Sequence, residues 1–96
     1  MQLKLKVLWL KNFLGFTIDQ RAAQHLSPLT TYYFWPKTEA WDQLKLELDS
    51  KTWIKREDKV TILNTITEII DDWSQNRNNK PPQKDLPNVE FVEVQD

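Results

Sequence analysis

The sequence predicts an α+β fold: a small antiparallel sheet, made of an N-terminal hairpin and one aromatic strand, packed against two C-terminal helices and followed by a flexible tail. Three observations carry that prediction. Apolar residues alternate with period two from Leu3 to Asp19, four consecutive aromatics stand between Pro28 and Pro36, and two later segments repeat apolar residues every three or four positions. Residues 1–75 are expected to form the compact domain and residues 76–96 the tail, with room for a short strand near its end.

The first strand is the clearest. Leu3-Lys4-Leu5-Lys6-Val7 alternates and continues through Leu8-Trp9-Leu10, so Leu3, Leu5, Val7 and Trp9 share a buried face, with Lys4, Lys6, Leu8 and Leu10 on the other. Lys11-Asn12-Phe13 reads as a tight turn, because Asn tolerates a left-handed backbone. Leu14 to Asp19 then alternates again, with Leu14, Phe16 and Ile18 together, and closes a β-hairpin. Gly15, the sole glycine, reads as a bulge or else as a place where another backbone comes close. Asp19 to Leu26 has no sustained period and is expected to be an exposed loop, with a single helical turn as a variant.

Thr30-Thr31-Tyr32-Tyr33-Phe34-Trp35 favours an extended strand, since stiff and flat side chains suit a pleated, half-buried surface. Tyr33 and Trp35 would share one face with Thr31, and Tyr32 and Phe34 the other. A competing reading makes Ser27 an N-cap and Pro28 the first residue of a short helix. The aromatics serve either as core or, in part, as a surface platform for RNA or protein.

Thr38 is placed to cap a helix running through Ser50, with Glu39 in the first turn and Trp41, Leu44 and Leu48 on one face. Trp53-Ile54 would plug the corner before a second helix from about Arg56 to Gln75. Its stripe is Val60, Leu63, Ile66, Ile70 and Trp73, widened by Ile62 and Ile69. From Asn76 the composition becomes that of a linker, with two adjacent prolines. Val89 to Val94 regains apolar residues and would add a strand to this sheet or to a partner, or remain a disordered tail.

A chain of 96 residues forms one modest core rather than a cleft between lobes, which favours binding over catalysis. There are no cysteines, so disulfides, thiolate metal sites and thiol nucleophiles are excluded. No apolar run approaches the ~20 residues that span a bilayer, and strand-like sequence begins almost at Met1, leaving no room for a leader. The net charge of -1 argues against grip on nucleic acid by bulk charge. That total hides an asymmetry: Lys4, Lys6, Lys11, Arg21 and Lys37 stand against Asp19 alone in residues 1–37, whereas residues 38–96 carry eight basic and thirteen acidic residues. A phosphate-facing surface would belong to the N-terminal part.

Reactive constellations are scarce. Asp19, His25 and Ser27 are the residue types of a nucleophilic triad, but nothing supplies an oxyanion site, and His25 reads as exposed. Glu68 and Asp72 lie one turn apart with Asp71 nearby; they keep the helix soluble, because hard cations want six or more oxygen ligands. One glycine cannot build a phosphate loop. Trp9, Trp41, Trp53 and Trp73 are core candidates, and Trp35 sits at the rim, where an indole can be half offered to a partner. No catalytic, cofactor or metal site is expected.

Leu8-Trp9-Leu10, Asp19-Gln20, Ser27-Pro28-Leu29-Thr30, Tyr33-Phe34-Trp35-Pro36, Ala40-Trp41, Leu44, Ser50-Lys51, Trp53-Ile54, Leu63-Asn64 and Thr67-Glu68-Ile69-Ile70 together closely resemble the plastid-specific ribosomal protein three family. The resemblance runs from about Leu3 to Trp73 in unchanged order. It departs in the loop before Ser27, which lacks a glycine, and at Arg56-Glu57-Asp58, and it gives the tail no counterpart. It implies a non-enzymatic component of the small ribosomal subunit of chloroplasts or cyanobacteria, in the plastid stroma or cyanobacterial cytoplasm. Its partners would be small-subunit ribosomal RNA and ribosomal proteins, with no membrane, no small-molecule substrate and a monomer in isolation. Lys4, Lys6, Lys11, Arg21 and Lys37 are the candidate phosphate contacts, with His25 and Trp35 as polar or stacking contacts. The reading from another class is a free protein-binding adaptor that uses the tail or the aromatic edge.

Overall fold

The computed structural model describes residues 2–76 and 88–92. The linker expected after Asn76 falls, over 77–87, outside the described residues, as does the end of the chain from 93 onward. The described elements are β1 (Gln2–Trp9), β2 (Leu14–Ala22), β3 (His25–Pro28), β4 (Tyr33–Trp35), α1 (Ala40–Asp49), α2 (Arg56–Asn76) and β5 (Val89–Val92). The architecture is α+β, with both helices on one face of the sheet. The strand order is β3-β2-β1-β5, and β4 pairs with the same edge of β2 as β3 does, farther along it.

β1 and β2 form the expected hairpin, with Leu5 opposite Ile18, Val7 opposite Phe16 and Trp9 opposite Leu14. These six side chains line the core face, where Leu44, Leu48, Ile62, Leu63, Ile66, Ile69 and Trp73 of the helices cover them. At roughly 1.5–3 kcal/mol for each large apolar side chain removed from water, this two-layer core is the main stabilising term. The sheet is mixed rather than wholly antiparallel, because β5 enters parallel to β1 at its free edge. Val89 and Phe91 then continue the core face beside Leu5 and Val7, and the Phe91 ring meets Trp9 edge-on at 6.1 Å. Of the outcomes open for this segment, a strand in the chain's own sheet is the one observed.

The region expected to be an exposed loop is a second hairpin. β2 continues to Ala22, turns at Ala23-Gln24 and returns as β3, with Ala22 opposite His25 and Gln20 opposite Ser27. Ala23 adopts φ 56°, the left-handed region that usually calls for glycine. Polar composition concealed the strand: β3 is an edge with all its residues exposed, so it has no apolar alternation to reveal it. The same strand disposes of the helix capped by Ser27.

The aromatic strand is shorter than its composition suggests. Thr30 interrupts the ladder: Ile18 donates its N–H to Thr30 Oγ1 at 3.0 Å, and Thr17 Oγ1 donates to the Thr30 carbonyl at 3.0 Å. Only Tyr33 to Trp35 then pair with β2. Tyr33 and Trp35 share one face, as expected, and both pack against the core, while Phe34 lies on the other side.

Gly15 is not a bulge. It sits in continuous register opposite both Leu8 and Phe34, and a Cβ built on it would meet Phe34 Cε1 at 3.0 Å and Leu8 Cδ1 at 3.1 Å. The close approach comes from side chains of the same molecule.

Thr38 does not cap α1. Its Oγ1 donates to the Phe34 carbonyl at 2.7 Å, and Glu39 occupies the N-cap position without a side-chain cap bond. Trp53 is no plug either, at 59% exposed. Of this adjacent pair, Ile54 takes the buried position. On α2 the buried line is Ile62, Leu63, Ile66, Ile69 and Trp73, which leaves Val60 outside. Trp73 also donates its Nε1–H to the Leu10 carbonyl at 2.7 Å, tying the end of α2 to the first turn.

Candidate interaction surface

The helices cover only one side of the sheet, so the opposite face is set by the alternate residues of each strand. On β1 these are Gln2, Lys4, Lys6 and Leu8; on β2, Gly15, Thr17, Asp19 and Arg21. β3 adds Leu26 and Pro28, β4 adds Phe34, and β5 adds Glu90 and Val92. Among the described residues no helix packs on this face.

Its charges are partly paired. Lys6 Nζ lies 3.1 Å from Asp19 Oδ2, and Lys4 Nζ lies 3.3 Å from Glu90 Oε2. The nearly buried Asp19 carboxylate beside it raises the pKa of the Lys6 ammonium above its ordinary value, so it stays charged at neutral pH. The Lys4 pair is more exposed and correspondingly weaker. Lys11, Arg21 and Lys37 are exposed and form no ion pair among the described residues.

The candidate residues therefore separate into groups. Lys4, Lys6 and Arg21 share the open face, Lys11 lies in the turn after β1, and Lys37 lies in the turn after β4. Trp35 faces the other way, opposite Leu14 and half-buried against the core. His25 is exposed at the edge strand and, by its pairing with Ala22, falls on the helix side of the sheet. The same register separates the triad types, because Asp19 is on the open face and both His25 and Ser27 pair with residues of the opposite face.

Sequence reasoning overlooked the apolar end of the open face. Phe13 and Phe34 meet edge to face, with centroids 5.5 Å apart and planes at 83°. Tyr32 stacks beside Phe34 at 6.3 Å and 16°. A shallow groove is lined by Phe13, Phe34 and Lys37. The signal was present: Gly15 lies between the core residues Leu14 and Phe16, so whatever crosses it must lie on the opposite face.

The helical side offers a different chemistry. Tyr33 Oη donates to Glu47 Oε1 at 3.1 Å and Lys51 Nζ donates to Glu47 Oε2 at 2.9 Å. The Lys51 bond, then the Tyr33 bond, lower the Glu47 pKa, while burial followed by the Glu47 bond raises that of Tyr33. This network braces α1 on β4. Among the described residues no three potential ligands gather for a metal ion, and no helix is long and apolar enough to cross a membrane.

Comparison with known proteins adds an independent line. Residues 29–76 match the model of the plastid and cyanobacterial ribosomal protein family PSRP-3 / Ycf65. The chain is 52% identical over 77 residues to the probable small ribosomal subunit protein cS23 of Synechococcus sp. (strain JA-3-3Ab), covering 80% of this chain and 78% of that one. It is 51% identical over 76 residues to small ribosomal subunit protein cS23 of Cyanidium caldarium, covering 79% and 75%. With the cS23 protein of Gracilaria tenuistipitata var. liui it shares 41% identity over 90 residues, 91% of each.

Proposed function

From the premise that this chain belongs to the plastid and cyanobacterial ribosomal protein family PSRP-3 / Ycf65, we propose that it is a structural component of the small ribosomal subunit, seated on ribosomal RNA and neighbouring ribosomal proteins through the open face of its sheet. The family is one of ribosomal proteins and not of enzymes. Its members place the chain on ribosomes of the plastid stroma or the cyanobacterial cytoplasm.

The observation that carries the reading is the match to named small-subunit proteins across most of the chain. The charge distribution supports the orientation. Lys4, Lys6 and Arg21 lie on the sheet and Lys11 and Lys37 in the turns beside it, whereas α1 and α2 hold eight acidic and three basic residues. Phosphate contacts fix the position of a protein on RNA without reading its sequence, which is what a fitted structural piece requires. His25 contributes at the exposed edge, and Trp35, beside Leu14 on the core side, acts from behind by packing β4 against the core. A role in translation follows from position in the subunit, and the isolated chain is a monomer in this reading.

Sedimentation of the tagged chain from a cyanobacterial lysate tests it. The expected result is co-migration with small subunits that survives a moderate salt wash. Recovery only at the top of the gradient would favour a free adaptor.

A further inference from the structure

We infer that the corner between Phe13 and Phe34 is a stacking site for one unpaired base of RNA, with Lys37 and Lys11 on the phosphates beside it; this rests on the RNA-facing orientation proposed above. Two rings 83° apart form a right-angled recess in which a flat heterocycle can lie against one ring while its edge meets the other. Lys37 lines that recess, and Lys11 is two residues from Phe13 along the same turn. Both ammoniums are exposed, and no carboxylate lines the groove among the described residues. A protein partner would instead need an apolar plug with acidic flanks. A base carrying its own phosphates supplies the flat apolar surface and the negative charge together.

The recess is held rigidly enough to be pre-formed. Phe34 is in the ladder with Gly15, its carbonyl accepts both the N–H and the hydroxyl of Thr38, and the absence of a side chain on Gly15 leaves room for the ring. The turn bearing Phe13 is closed by the Leu10 N–H donating to the Phe13 carbonyl at 3.1 Å, and Trp73 holds Leu10 from below.

The test uses the full chain and a short single-stranded RNA with a central 2-aminopurine, alongside the same strand in a duplex. Stacking is expected to quench the 2-aminopurine on the single strand. Phe13→Leu is expected to remove the quenching and weaken single-strand binding about 5-fold or more, from ~1–3 kcal/mol per stacked base, with little change on the duplex. Lys11→Gln with Lys37→Gln should instead reduce the salt slope on the single strand by about 1.4, from ~0.7 for each phosphate contact. Phe34→Leu, checked for an unchanged circular dichroism spectrum, is the second ring variant and should act as Phe13→Leu does. Unchanged quenching and affinity in both ring variants, with a reduced slope in the lysine variant, would overturn the stacking site while leaving RNA contact intact. Wild-type chain that binds neither RNA would overturn both.

Discussion

Replacing Asp19 by Asn separates the stability of this fold from the RNA contact proposed for it, because the two are expected to move in opposite directions. Asp19 is 5% exposed and its carboxylate lies 3.1 Å from Lys6 Nζ. At an effective dielectric constant of about 20 the gross attraction is about 5 kcal/mol, most of it offset by desolvation. The Lys6 side chain remains 30% exposed, so on loss of its partner it can swing to water and leaves no stranded charge. The net cost is therefore placed between that of an exposed pair and a fully buried one, at about 1–2 kcal/mol. For a domain of this size that lowers Tm by about 4–16 °C. The same substitution frees one cation on the open face, and the slope of log K against log salt should steepen by about 0.7 for single-stranded RNA. Thermal unfolding followed by circular dichroism, and fluorescence anisotropy at about 50 and 200 mM salt, read the two effects. A loss of RNA affinity in step with stability would refute the assignment of this face, since only a fold defect would then connect them.

Other perturbations test separate parts of the account. Trp73→Phe removes the Nε1–H bond to Leu10 and part of a buried ring, and should cost about 1–3 kcal/mol in urea unfolding, with early hydrogen exchange in the turn at residues 10–13. Trp53→Ser should change stability by less than about 0.5 kcal/mol, as befits an exposed site. Ala23→Gly relieves a left-handed backbone worth about 1–2 kcal/mol while adding unfolded-state freedom worth about 0.4–1, so a small net gain is expected in the denaturation midpoint. Glu47 has a folded pKa depressed below its ordinary value of 4.5, so its contribution is present above that value and lost as pH falls through the folded one. Glu47→Gln should consequently flatten the decline of Tm below about pH 4.5 relative to the parent chain.

The parts of the fold legible in the sequence were those where burial imposes a period. Leu3, Leu5, Val7 and Trp9, and then Leu14, Phe16 and Ile18, declared both strands of the first hairpin and their shared face. Leu44 and Leu48 declared the inward side of α1. β3 was hidden because an exposed edge strand gains its order from backbone pairing and needs no apolar pattern. Trp53 misled because its size suggests burial, whereas its neighbour Ile54 takes the buried position. The basic residues of the open face were visible as charges, but their pairing was not: Lys4 meets Glu90 only because β5 joins the sheet, across a separation that no local rule bridges. Phe13 escaped notice as a turn residue, since its contact with Phe34 depends on β4 lying over Gly15.

Electron cryomicroscopy of small subunits purified with this chain bound would probe the central claim most directly, by showing which layer of the protein faces RNA. The account predicts ribosomal RNA against the face bearing Lys4, Lys6, Arg21, Phe13 and Phe34, with α1 and α2 turned toward protein or solvent. RNA packed against α2, with the open face of the sheet bare, would contradict it.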